Sequence, residues 1–160
     1  MNEPSNFADG SDVGCPKTKY DNPPYVPRVL NGKLYAKTLC LSSRQYLSNH
    51  YNLHNMYGHF EAIATYNALK KVKQNKRPFV LTRSTFAGTG QYAAHWSGDN
   101  DANWNDLYYS IPNMLNFNMF GISMIGSDIC GFSGETTEEL CISRLLNYLN
   151  CLLNRSPIKN

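Results

Sequence analysis

Apolar residues recur at Leu53, Met56, Tyr57, Phe60, Ile63, Ala64 and Leu69, a one-sided pattern at helical period that predicts a helix from Leu53 to Lys73. Pro78 follows, and Phe79-Val80-Leu81-Thr82 is a short continuous apolar run of strand type that ends at Arg83-Ser84. Gly88, Gly90 and Gly98 then punctuate an irregular stretch up to Asp99. A second helical period runs from about Trp104 to Phe120 through Leu107, Ile111, Met114 and Leu115. Pro112 must bend this helix or stand near its start, and Gly121 ends it. Ile122-Ser123-Met124-Ile125-Gly126 reads as another buried strand, delivering Asp128. Thr136-Thr137-Glu138-Glu139 has the form of a capping box that opens a third helix through Leu149.

Helix, strand, helix, strand, helix, with strands that are apolar throughout, predicts an α/β fold in which helices cover a parallel sheet. In such sheets chemistry sits just past the strand C-termini. Arg83 and Asp128 stand there, with Asp99 in the irregular stretch between the two strands. Two strands cannot bury their own faces and edges, so the expected sheet is incomplete. Ahead of these elements, residues 8–49 show no periodicity and carry Gly14, Pro16, Pro23, Pro24, Pro27 and Gly32. They predict a long ordered loop or small insertion, of the kind that is usually functional or stapled.

Composition narrows the class. With 160 residues, 42% hydrophobic and 17% charged, the chain has the size and balance of one globular domain rather than a disordered, collagenous or membrane-spanning one. A net charge of +3, scattered along the sequence, gives no footprint for a nucleic-acid partner. Lys70-Lys71-Val72-Lys73 is a helix C-terminus, where cations suit the macrodipole. No targeting leader precedes the first element, which at face value means a cytosolic protein. The five cysteines disagree: Cys15 and Cys40 bracket a polar, proline-rich loop, Cys130 and Cys141 bracket a short glycine-containing one, and Cys151 is left over. That pattern fits an extracellular or lumenal compartment. No CxxC or Cys/His cluster suggests a metal. His50, His54 and His59 have no acidic or cysteine partner at ligand spacing and are expected to be packed or exposed.

The opening run MNEPSNF, RPFVLTRSTFAGTGQYAAHWSGDN and GSDICGFSGETTEELC, together with GCPKTKYDNPPYVP and LSNHYNLHNMYGHFEAIA, closely resemble glycoside hydrolase family 31, in its α-glucosidase branch of lysosomal and intestinal-maltase type. No one of these motifs is decisive, but several in order at family-like spacing are specific. The resemblance implies a (β/α)8 TIM barrel, of which this chain holds roughly the end of the fourth strand to the seventh with their helices, not closed. It covers residues 1–143 as a partial catalytic barrel and leaves 144–160 as a divergent tail. The implied reaction is retaining hydrolysis of terminal α-glucosidic bonds in maltose-type oligosaccharides, without cofactor, metal, nucleic acid or membrane segment. That reaction needs two carboxyl groups about 5–5.5 Å apart, a nucleophile and an acid/base.

Residue by residue, the resemblance makes Asp99 the acid/base. It puts the nucleophile directly in front of Met1, so the isolated chain is expected to be inactive. Arg83 becomes a sugar-contacting arginine at a strand end, Trp96 an aromatic wall of the glucose pocket and Asp128 a positioner of sugar hydroxyls. Phe132 and Met1 become apolar lining, and Glu3 a supporting network residue. Taken singly, each has a plainer reading: Gly98-Asp99-Asn100 is a turn, Arg83 a surface ion pair, Trp96 a core anchor, Asp128 a turn cap. His95, adjacent in sequence, reads as structural. The resemblance also implies disulfides Cys15–Cys40 and Cys130–Cys141, each stabilising by roughly 3 kcal/mol in the chain-entropy model, and gives Cys151 no counterpart. After Arg144 the likeness stops; Asn154-Arg155-Ser156 is a glycosylation sequon in the tail. The full-length parent would be lysosomal, secreted or lumenal. The rival expectation is a catalytically dead carbohydrate-binding or interaction remnant of the same family. Another keeps the family and changes the sugar, as in an α-xylosidase or an endoplasmic-reticulum glucosidase, against which the disulfide loops and HNMYG stand.

Overall fold

A computed structural model describes residues 1–4, 6–28 and 32–153, with 147–153 as helix backbone only. The first predicted helix is divided: α1 spans His50–Leu53, a 3-10 turn His54–Met56 follows, and α2 runs Tyr57–Val72. The break lies at Leu53 and Met56, whose ψ values of 4° and -2° depart from a regular helix. Lys70 and Lys71 occupy the last turn of α2, as the macrodipole favours. The second helix is α3, Trp104–Met119, and it contains Pro112 inside rather than near its start. Asn103 caps it, its side chain accepting the N–H of Asp106 at 2.8 Å. Gly121 closes it at φ 81°, with the N–H of Ile122 returning to the carbonyl of Phe117 at 2.9 Å.

The third helix, α4, spans Glu138–Leu153, longer than expected. Its start is a simple cap and not a box: Thr137 Oγ1 accepts the N–H of Leu140 at 3.2 Å, and the residue at the reciprocal position is leucine. The Cys151 side chain and the sequon at 154–156 lie outside the described residues.

Three strands, not two, make the sheet. β1 (Leu81–Thr82), β2 (Ala94–Trp96) and β3 (Ile125–Gly126) are parallel in the order β1-β2-β3. The middle strand falls in the stretch that periodicity left irregular. Register pairs Leu81 with Ala94, Thr82 with His95, His95 with Ile125, and Trp96 with Gly126. Residues opposite one another share a face, so Thr82, His95 and Ile125 point one way and Leu81, Ala94, Trp96 and Gly126 the other.

The first face is covered. Val80 and Ala93 pack with Ala62 of α2, supported by Tyr66 and Leu69. The His95 ring stacks on Phe117 of α3 with centroids 4.0 Å apart. The second face is open and apolar: Phe79, Leu81 and Met124 are exposed. It forms a cavity of about 470 Å3 whose lining includes Phe79, Leu81, Trp96, Met124 and Asp128. Residues 8–49 contain no α-helix or strand among those described. Their order comes from Asp21, which accepts the N–H of Leu41 at 2.7 Å, and from the disulfide Cys15–Cys40.

Candidate active site

The site is assembled where the three parallel strands end. Asn2 fixes the first corner. Its Oδ1 accepts the N–H groups of Arg83 (3.2 Å) and Ser84 (2.9 Å), and its Nδ2 donates to the carbonyls of Gly58 (2.9 Å) and Ser84 (2.8 Å). One buried amide thereby ties the opening segment to the end of β1 and the first turn of α2. A side chain at position 58 would not fit, because a Cβ there would lie 2.6 Å from Asn2 Nδ2. Sequence reasoning missed Asn2; its only local signal was the compact polar run in which it stands.

With residues 1–4 so held, the Glu3 carboxylate pairs with Arg83 Nη2. Arg83 Nη1 lies 3.6 Å from Asp99 Oδ2. Arg83 therefore stands between two carboxylates, its side chain 33% exposed and that of Asp99 49% exposed. At this exposure each pair is worth little as stability and more as orientation. Asp99 follows β2 across Gly98, which adopts φ +82° and leaves room for Arg83: a Cβ there would lie 2.7 Å from Arg83 Cδ. Only glycine combines that backbone with that clearance. The short contact between Ser97 Oγ and Asn100 Oδ1 closes the turn that presents Asp99.

The neighbouring loop is joined to this turn by backbone bonds. Phe132 and Ser133 donate to the carbonyl of Asn100 (2.7 and 3.2 Å), and Ala102 donates to the carbonyl of Ser133 (2.7 Å). The disulfide Cys130–Cys141 fastens the same loop to α4, with Cα atoms 4.4 Å apart. Trp96 and Asp128 share the cavity on the open face. Arg83, Asp99, Met1 and Phe132 are not among the residues lining it, and Met1 and Phe132 are 76% and 67% exposed. The structure thus brings together Glu3, Arg83 and Asp99, and separately Trp96 and Asp128. It leaves the Met1 and Phe132 side chains facing solvent.

His50, His59 and His95 are packed groups, and His54 is half-buried. His95 is buried, and burial lowers its pKa below the ordinary 6.5, partly offset by the backbone of Thr82 and Arg83. His50 is shifted the same way by burial and then by His54, and its ring meets Thr38 Oγ1 (3.0 Å) and Gln45 Nε2 (2.7 Å). His59 Nδ1 meets Thr89 Oγ1 at 2.8 Å. Among the described residues the one cluster with metal-ligand spacing is Cys15, Asp21 and Cys40. Its two sulfurs are joined to each other, and hydrogen bonds from Thr18, Ser42 and Leu41 hold the Asp21 pKa down against the upward push of burial. It is a structural knot, not a metal site.

Against known proteins, residues 1–145 match the Glycosyl hydrolases family 31 TIM-barrel domain. The chain is 58% identical over 142 residues to lysosomal alpha-glucosidase of Rattus norvegicus, covering 89% of this chain and 15% of that protein. It is 52% identical over 141 residues to human intestinal sucrase-isomaltase, covering 88% of this chain and 8% of the other. Among solved structures, the Tris-bound glucosidase II alpha subunit superposes with a TM-score of 0.62 at 37% identity, over 66% of this chain and 12% of that one. A Flavobacterium johnsoniae GH31 dextranase complexed with glucose gives 0.57 at 31% identity, over 62% and 14%. The three-stranded sheet is thus a part of a TIM barrel, not a closed one.

Proposed function

The chain belongs to glycosyl hydrolase family 31, and on that footing we propose that it carries the acid/base half of a retaining α-glucosidase site, with Asp99 as the acid/base. The observation that carries the reading is the Glu3–Arg83–Asp99 array at the C-terminal ends of the parallel strands β1 and β2. In the first step Asp99 gives a proton to the glycosidic oxygen as the C–O bond breaks. In the second it takes a proton from the water that releases the glucosyl-enzyme. Glu3 binds the other side of the Arg83 guanidinium, and Asp99 stands 3.6 Å from it.

On this reading the nucleophile occupies the position directly before Met1 in a complete polypeptide. Trp96 offers a ring face to sugar C–H groups, Asp128 binds hydroxyls from the cavity wall, Arg83 contacts the sugar, and Met1 and Phe132 form an apolar rim. Residues 1–143 are catalytic barrel, and the family match runs two residues further into α4. The substrate is a maltose-type oligosaccharide, and the two disulfides fit a lysosomal or secreted parent.

Proton NMR of maltose hydrolysis by the complete polypeptide tests this. The glucose released from the non-reducing end should be the α-anomer; the β-anomer from that end, or no hydrolysis, would sink the reading. The rival, a carbohydrate-binding remnant, predicts maltose binding without turnover in the same sample.

A further inference from the structure

We propose that Arg144 is a positioning residue for Asp99, holding from α4 the two loops that carry Asp99 and Asp128 as one rigid unit. The inference rests on the acid/base reading of Asp99. Arg144 is 1% exposed. Its Nη1 donates to the carbonyl of Asp128 at 3.0 Å, and its Nη2 to the carbonyls of Asp101 at 2.6 Å and Asn103 at 3.4 Å. Among the described residues no carboxylate pairs with it, and its Nε is buried without a partner.

A buried cation without a counter-ion is costly, and here backbone carbonyls alone offset the cost. Charge-assisted bonds from a planar guanidinium are directional, so the carbonyls are held where the fork needs them. One of those carbonyls belongs to Asp128 itself and another to Asp101, on the loop that presents Asp99. The two loops already grip each other through Asn100, Ala102, Phe132 and Ser133. They touch so closely that a Cβ on Gly131, at φ +97°, would lie 2.6 Å from Ala102 Cα. Arg144 is the peg that fixes this double loop to the helix layer. A lysine in its place keeps the charge and loses the fork.

General-acid catalysis depends on sub-ångström placement of the acid, and the loss is felt in proportion to the leaving group's need of a proton. Substrate choice therefore separates a misplaced Asp99 from general loosening. In the complete polypeptide, Arg144→Lys should lower kcat/KM on maltose roughly 10- to 100-fold while changing it on α-glucosyl fluoride less than roughly 3-fold, since fluoride departs with little protonation. Gly131→Ala forces a Cβ against Ala102, between the same two loops that Arg144 holds, and should give the same split. It also serves if Arg144→Lys does not fold.

Asp99→Ala sets the scale, with a larger split in the same direction. Equal losses on both substrates, or no loss, in the variants that fold would overturn the role of Arg144. A wild-type protein inactive on both substrates, or no split in Asp99→Ala, would remove the acid/base reading and this inference with it. That outcome is recognised before any Arg144 variant is compared.

Discussion

Replacing Asn2 with alanine removes a side chain that makes four hydrogen bonds at once to two distant segments of the chain. The site is 5% exposed, so water cannot freely take its place. Two carbonyls and two N–H groups lose their partner. At a net value of about 1 kcal/mol per bond, with part of the loss recovered by relaxation, the local cost is about 2–4 kcal/mol. The segment opened by that loss is Arg83-Ser84, directly after β1. The Ser84 amide reports on it, because its hydrogen bond goes to Asn2 Oδ1. At about 1.4 kcal/mol per tenfold, hydrogen exchange in a peptide spanning residues 82–86 should accelerate roughly 30- to 1000-fold in the complete polypeptide. Asn2→Asp keeps both acceptor bonds but turns an oxygen toward the carbonyls of Gly58 and Ser84, so it should not rescue protection. Exchange within roughly threefold of wild type in Asn2→Ala would refute the clamp.

Gly98→Ala forces a Cβ against Arg83 and a side chain into φ +82°, and should cost about 1 kcal/mol of strain together with roughly tenfold in kcat/KM on maltose, measured by steady-state kinetics. Opening the Cys130–Cys141 bridge as a double serine variant releases an 11-residue sequence separation and should cost roughly 3 kcal/mol, read as a shorter thermal-inactivation half-life. His50 and His95 both have lowered folded-state pKa values, chiefly from burial. Below about pH 6.5 the unfolded chain therefore binds protons that the folded chain refuses; their stability contribution is intact above that pH and falls as pH drops toward the folded values. The unfolding midpoint should decline as pH falls below about 6.5, and His95→Phe should flatten that decline.

The long helices were legible because each carries enough apolar residues at one period to outvote its irregularities; even Pro112 did not disguise α3. β2 was not legible. Its three residues are Ala94, His95 and Trp96, and what makes His95 an inward residue is a stack on Phe117, a contact no local window contains. Asn2 was missed for the same reason: its carbonyl partners lie 56 and 82 residues away. Thr136-Thr137-Glu138-Glu139 marked a helix start correctly but not the device, since the cap proved to be Thr137, one residue later than a box with Glu139 would need. Arg83, Asp99 and Glu3 were nameable from the motifs they stand in. That one guanidinium links both carboxylates is a matter of where two strand ends and the first turn of α2 meet, which only the fold supplies.

The central claim, that Asp99 is the acid/base and not the nucleophile, is met most directly by azide rescue of Asp99→Ala in the complete polypeptide, using α-glucosyl fluoride as substrate. If Asp99 is the acid/base, the glucosyl-enzyme still forms, azide needs no general base to attack it, turnover recovers, and the product is α-glucosyl azide. A β-glucosyl azide would mean that azide had replaced the nucleophile itself, and absence of rescue that Asp99 does not act in the second step; either result contradicts the account.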